Sequence, residues 1–203
     1  RRRPLPRRWG PMRVITGKAR GRRLKTGGQR GTRPTQAAIR EVLFNILRPR
    51  LANTRFLDVY AGYGIVGIEA LSEGARWAVF IERSRSCCQI LWQNLHRVGL
   101  AEQAEVLCED AFRALRRLLA AGMEFDVIFA DPPYEPASAD SFLRWLGDHS
   151  SLLAAEGVCV VQHFFKHPVK PSYGELVRFR ERRVGESLLS FYHRSPLPLE
   201  ETL

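Results

Sequence analysis

Phe125-Asp126-Val127-Ile128-Phe129-Ala130-Asp131-Pro132-Pro133-Tyr134 is the stretch from which the fold is read. Its first six residues form a short, almost wholly apolar run, as expected of a parallel strand buried on both faces. Two prolines then remove two backbone donors, fix two φ angles and push Asp131 towards an extended conformation. The strand must stop there, in a stiff loop that carries one carboxylate, free carbonyl oxygens and one aromatic ring. In open α/β sheets ligands bind just beyond the carboxyl ends of strands, so the loop stands where chemistry is done.

An acceptor-only carboxylate beside a carbonyl oxygen suits an –NH2 group, which offers two hydrogens. Accepting both draws the nitrogen lone pair out of conjugation and aims it for attack. Tyr134 can stack on the flat ring that bears the amine. Asp131, Pro132 and Tyr134 are therefore the candidate catalytic residues, for a planar amine such as that of a nucleobase. Asp-Pro alone would read as a loop that merely ends a strand; the full tetrapeptide after a buried strand reads as a site.

Working outward, strands and helices alternate on both sides of this stretch. Phe56–Tyr60, Trp77–Glu82 and Ala104–Cys108 read as strands, each followed by a helix: Ile65–Glu73 before Gly74, Arg85–Val98 before Gly99, and Ala111–Ala121. Beyond Tyr134 come a helix over Ala139–Leu146, a strand over Gly157–His163, and two β runs, Leu176–Arg182 and Ser187–Tyr192, joined by a turn at Val184-Gly185-Glu186. The pattern predicts a doubly wound, Rossmann-like α/β sheet, mostly parallel, with an antiparallel C-terminal hairpin. Ahead of it, residues 13–17 and 22–26 read as a basic β-hairpin, Gly27–Gly31 as loop, and Thr35 as the cap of a helix ending near Leu47. The expected division is 1–52, a small basic appendage, and 53–203, the α/β domain.

Asp58-Val59-Tyr60-Ala61-Gly62-Tyr63-Gly64-Ile65-Val66-Gly67 joins the first strand to the first helix and contains G-x-G-x-x-G, with Glu82 twenty residues beyond Gly62. That is also the dinucleotide-binding fingerprint, so a dehydrogenase is a rival. Asp58 favours another reading. A carboxylate at the strand end repels a pyrophosphate but suits the cationic amino-acid part of S-adenosylmethionine. Glu82 can accept ribose hydroxyls, and Asp110, with Ala111 after it, can meet the adenine. Tyr60, Gly62 and Gly64 complete the candidate cofactor set. Each acid alone is an ordinary loop residue; together, at the ends of successive strands, they outline a nucleoside cradle.

The chain has 203 residues, 45% of them hydrophobic, and a formal charge of +11. It is long enough for a sizeable core and contains no run near the ~20 apolar residues of a membrane span. Residues 1–50 hold sixteen Lys/Arg against the single acid Glu41, whereas residues 51–203 hold sixteen against twenty. A basic arm on a mildly acidic body suits a polyanion held at one end. The run from Arg1 to Arg8 reads equally as part of that arm or as a solubilising or disordered tail; an Arg-rich opening also suits a remnant of an organelle transit peptide, with Met12 an equally plausible native start. Cys87, Cys88, Cys108 and Cys159 show no C-x-x-C pair and read as reduced thiols of a cytoplasmic protein. His163 and His167 are four apart, but Pro168 and the lack of an acidic partner argue against a metal.

These residues resemble a known family, the bacterial methyltransferases that modify the exocyclic N2 of a guanine in small-subunit (16S) ribosomal RNA. The resemblance covers most of residues 12–194. It is carried by Met12–Leu24, Thr32-Arg33-Pro34-Thr35, Arg40–Leu47, the Phe56–Gly64 stretch, Glu82, Asp131-Pro132-Pro133-Tyr134 and Arg183-Val184-Gly185-Glu186-Ser187. Asp-Pro-Pro-Tyr is shared with adenine and cytosine amino-methyltransferases, so it indicates the reaction and not the base; the N-terminal blocks are more specific. Tyr60 and Tyr63 stand where the family usually has Phe and Ser, and Gln162-His163 where an acid is common. The resemblance implies S-adenosylmethionine as donor, S-adenosylhomocysteine as product, no metal, and ribosomal RNA, naked or in a small-subunit particle, as partner of a monomeric, non-membrane enzyme. Arg13, Lys18, Arg20, Arg22, Arg23 and Arg33 are the candidate RNA-binding residues. Alternatives are the same chemistry on adenine or cytosine of DNA or other RNA, and a non-catalytic RNA-binding assembly factor.

Overall fold

A computed structural model of the protein describes residues 12–27 and 34–195. The run Arg1–Arg8, most of the glycine-rich loop, Arg33 and the side chain of Thr35 lie outside the described residues. The chain order is α1 (Pro34–Leu51), β1 (Arg55–Val59), α2 (Ile65–Ser72), β2 (Trp77–Ile81), α3 (Arg85–Val98), β3 (Ala104–Leu107), α4 (Ala111–Ala120), β4 (Phe125–Ala130), α5 (Ser138–Asp148), β5 (Leu153–Phe164), β6 (Ser172–Tyr173), β7 (Leu176–Val184) and β8 (Ser187–Arg194). The strands form one eight-stranded sheet in the order β3-β2-β1-β4-β5-β8-β7-β6. The five strands from β3 to β5 are parallel, and β8, β7 and β6 add antiparallel pairings. No helix among the described residues is long and apolar enough to cross a membrane.

This order puts the topological switch point between β1 and β4. From β1 the chain winds outward through β2 and β3, then returns to pair β4 on the other side of β1. Asp58 pairs with Phe129 and Val59 with Ala130, so Asp58 and the residue after β4, Asp131, come from neighbouring strand ends. That crevice is where doubly wound sheets bind ligands.

The two-residue repeat of the strands divides the apolar side chains between two layers. On β4, Val127 and Phe129 belong to a layer with Leu43, Phe44, Ile68 and Leu91; Ile128 and Ala130 belong to one with Ala114, Leu115, Phe142 and Leu143. Helices α1, α2 and α3 cover the first layer, α4 and α5 the second. Met12, Val14, Ala19 and Leu24 also join the first layer, as do Ile39, Leu43, Phe44, Leu47 and Leu51, so the described N-terminal residues share the core of the sheet.

The two N-terminal strands expected at 13–17 and 22–26 reduce to a single antiparallel bridge, Arg13 with Arg23. The reason lies far along the chain. The amides of Ile15 and Thr16 and the Thr16 hydroxyl donate to the fully buried Glu69 carboxylate at 2.6–3.0 Å, while Lys18 N–H donates to the Ser72 carbonyl and Ala19 N–H to the Ser72 hydroxyl. Donors that a hairpin partner would take go to α2 instead. Gly17 makes the approach feasible: a Cβ on it would stand 2.0 Å from the Ser72 carbonyl oxygen. Asn94 ties the next segment down, accepting from Lys25 N–H at 2.7 Å and donating to the carbonyls of Lys25 and Tyr63. The four cysteines are free thiols.

Candidate active site

The turn after β1 begins with a backbone outlier. Tyr60 has φ +64°, unusual for a residue with a Cβ, and conformations of this kind cluster at functional sites. Its ring packs edge-on against Phe142 of α5. Of the three motif glycines, Gly67 and Gly64 are small because the fold is tight. A Cβ on Gly67 would meet the Phe80 ring at 2.3 Å, and one on Gly64 would meet Leu91 at 2.7 Å. Gly62 alone of the three has nothing within 4 Å of that position.

Glu82 shapes this turn. Its Oε2 accepts from Gly62 N–H at 2.9 Å and its Oε1 from Ser84 N–H at 2.7 Å. Each carboxylate oxygen keeps a second lone pair for another donor. Asp58 is fully buried; its Oδ2 accepts from Gly67 N–H at 2.9 Å, in the first turn of α2. Burial pushes its carboxyl up to about 7, the Gly67 bond opposes this, and the charges of Asp131 and Glu82 add to it. Asp110 caps α4 by accepting from Arg113 N–H at 3.1 Å, and Ala111 is the first helical residue.

Asp131 begins the loop after β4, its N–H directed to the Val59 carbonyl at 3.4 Å. Burial pushes its carboxyl up to about 7. Its Oδ1 and the Arg40 Nε are the buried side-chain polar atoms without a hydrogen-bond partner among the described residues. Tyr134 is 60% exposed, and its hydroxyl accepts from Gln162 Nε2 at 3.3 Å.

A cavity of about 260 Å³ unites these parts. Asp58, Tyr60 and the turn Ala61–Tyr63 line one side; Asp131, Tyr134 and Gln162 line another; α1 contributes Gln36, Ile39, Arg40 and Leu43. Of the sequence-predicted residues, Asp58, Tyr60, Gly62, Asp131 and Tyr134 thus meet around one space. Gly64, Glu82, Asp110, Ala111 and Pro132 stand outside its lining. Arg13, Lys18, Arg20, Arg22 and Arg23 are exposed and lie apart from it, although Met12 and Thr26, at the roots of their segment, reach the cavity. Lys18 reaches Gln103 at 3.0 Å and Arg22 the Arg97 carbonyl at 3.4 Å. No group of three or more His, Cys, Asp or Glu among the described residues could hold a metal ion.

Sequence reasoning gave no site role to Arg40, Glu69, Asn94 and Gln162. Arg40 is buried, 3.7 Å from Glu69, with its Nη1 donating to the Arg13 carbonyl. Burial lowers its pKa and Glu69 opposes that shift. A signal was available for two of the four: Glu69 interrupts an apolar helix, and Asn94 falls at an apolar register of α3 between Leu91 and Leu95.

Comparison with known proteins adds to this geometry. The yhhF protein of Escherichia coli, solved as a structure, superimposes with a TM-score of 0.79 at 32% identity, covering 93% of this chain and 100% of its own. A SAM-dependent methyltransferase from Agrobacterium tumefaciens, at 17% identity and a TM-score of 0.60 over 86% of this chain and 66% of its own, shares the fold. Ribosomal RNA small subunit methyltransferase D of Escherichia coli (strain K12) is 33% identical over 187 residues, 91% of each chain. The family described as Conserved hypothetical protein 95 matches residues 12–193. A chain matched over nearly its whole length, with the methyltransferase fold, belongs to the Conserved hypothetical protein 95 family.

Proposed function

We propose that the protein transfers the methyl group of S-adenosylmethionine to the exocyclic N2 amine of a guanine in small-subunit ribosomal RNA. The observation that carries this reading is the Asp131 carboxylate, its buried Oδ1 unpaired, in a cavity shared with Tyr134 and the turn holding Gly62. The choice of ribosomal RNA is supported by the resemblance of the N-terminal blocks and by the similarity to ribosomal RNA small subunit methyltransferase D of Escherichia coli.

The residues fit the donor. Asp58 suits its ammonium group, the free lone pairs of Glu82 suit its ribose hydroxyls, and Asp110 with Ala111 lies on the adenine side. When bound, S-adenosylmethionine supplies a methyl group made electrophilic by its sulfonium. The protein does the rest by positioning. Asp131 and the Pro132 carbonyl accept the two amine hydrogens, Tyr134 stacks on a guanine turned out of its helix, and the nitrogen lone pair is held in line with the methyl. Labelled methyl transfer tests the reading: ribosomal RNA takes the label and duplex DNA does not. Transfer to DNA alone, or to neither, would refute it.

The basic segment supplies the grip on the RNA backbone. Neutralising Arg20, Arg22 and Arg23 together flattens the slope of log affinity against log salt by roughly two to three units, at about 0.7–0.9 per phosphate. S-adenosylhomocysteine binding stays as it was, because these side chains lie apart from the cavity. An unaltered slope would mean that the RNA docks elsewhere.

A further inference from the structure

We propose that Phe164, Phe165, Lys166 and Arg183 form a stacking platform for an unpaired base of the RNA substrate, next to the cavity. The proposal rests on the reading of the site as an RNA methyltransferase and extends it to a second place where the RNA is held. Strand β5 leads from one to the other. Gln162 lines the cavity and bonds Tyr134, and Phe164, two residues on, projects from the same face of the strand. There β5 ends at the carboxyl edge of the sheet, the edge that also carries Asp131.

The turn beyond β5 is firmly built. Phe165 N–H donates to the Glu186 carbonyl and His167 N–H to the Phe164 carbonyl, both at 2.9 Å. The buried His163 ring reaches the His167 carbonyl through Nδ1 at 3.0 Å. From the neighbouring hairpin, Arg183 lays its guanidinium on the Phe165 ring, 3.9 Å from the centroid, while its Nε donates to the Gly185 carbonyl at 2.9 Å. Lys166 Nζ stands 5.7 Å from the Phe165 centroid and 6.0 Å from that of Phe164. Both rings are half-buried, and Arg183 and Lys166 are exposed.

An exposed guanidinium standing over a ring, 3.9 Å from its centroid, offers a surface on which a base can stack. Single-stranded RNA is recognised by such planes, on aromatic rings or on arginine, with cations close by for the backbone. The acids nearby are Glu186, exposed at the hairpin tip, and Glu181, which is paired with Arg178 at 2.8 Å. A stacking site at the carboxyl end of β5, just beyond the cavity-lining Gln162, fits a nucleotide flanking the one turned into the cavity.

RNA affinity and steady-state kinetics of Arg183→Lys and Phe165→Leu decide the matter, because each keeps charge or bulk and loses the plane. Each variant is expected to raise the Kd and KM for RNA roughly fivefold to a hundredfold, the range of single base-stacking losses. The kcat and S-adenosylhomocysteine binding should hold, and unchanged melting temperatures show that the fold is intact. Wild-type RNA affinity in both variants would overturn the platform and leave the stack as surface packing. So would wild-type affinity in Arg183→Lys with a loss only in Arg183→Ala, since that pattern marks a phosphate contact. The underlying reading fails separately: wild-type protein that binds ribosomal RNA but methylates none refutes the methyltransferase assignment, while the Kd values still judge the platform.

Discussion

Asp131→Asn lowers the rate of methyl transfer by about a hundredfold to a thousandfold, the range for removing one preorganised polar group from a reacting centre. The substitution keeps shape and changes chemistry: one acceptor becomes an N–H that faces the hydrogens of the amine. S-adenosylhomocysteine affinity should remain, since Asp131 addresses the substrate, and thermal stabilisation by that ligand measures it. Wild-type turnover by the variant would remove Asp131 from the mechanism.

The same residue predicts a pH dependence. Burial pushes the Asp131 carboxyl up to about 7, and only its ionised form presents nothing but acceptors to the amine hydrogen it takes beside the Pro132 carbonyl. The rate for RNA should therefore rise with pH through about 7 and level off above it. Asp58, also raised to about 7, interacts with Asp131, so the observed midpoint belongs to the pair. Stability moves the other way. Between the ordinary value of 3.8 and about 7 the ligand-free fold binds more protons at these two sites than the unfolded chain, so their contribution declines as pH rises through that window.

Glu69→Ala should cost about 3–5 kcal/mol of stability, the range for breaking a buried ion pair by removing one partner. Glu69 is fully buried and accepts from Ile15 N–H, Thr16 N–H and the Thr16 hydroxyl, with Arg40 3.7 Å away. Its loss strands two amides and leaves a buried guanidinium without its counter-charge. Against a total of about 5–15 kcal/mol for a typical domain this is a large share. Urea unfolding reads it as a lower midpoint, and Glu69→Gln, which keeps one acceptor oxygen, should lose less. An unchanged midpoint in Glu69→Ala would contradict the account of how the N-terminal segment is attached.

The sheet and the Asp131 loop were legible because their causes are local. Buried parallel strands show as apolar runs, and the two prolines after Asp131 stop β4 wherever the chain goes next. Ala111 was legible as a helix start from the apolar register of α4, whereas the capping role of Asp110 shows only in the structure. The N-terminal hairpin was legible only in part, its antiparallel turn present but its pairing cut to one bridge, for the opposite reason. Alternation in Arg13–Gly17 reveals a half-buried extended segment but not the partner of its amides, and that partner, Glu69 with Ser72, lies more than fifty residues away. The glycine motif was legible only as a pattern. Spacing cannot tell a glycine required by Phe80 or Leu91 from one that opens to a ligand, and only the packed structure separates Gly62 from Gly64 and Gly67. Arg40 was given no site role because, among many surface arginines, nothing in its neighbours distinguishes the one that α1 turns inward.

The central claim is that the buried carboxylate after β4 directs methyl transfer to the N2 amine of guanine. The measurement that tests it most directly uses unmodified small-subunit ribosomal RNA, labelled S-adenosylmethionine and the wild-type protein, followed by digestion to nucleosides. The account predicts that the label appears in N2-methylguanosine and is lost with Asp131→Asn. Label in a methylated adenosine or cytidine, or none in the RNA at all, would contradict it.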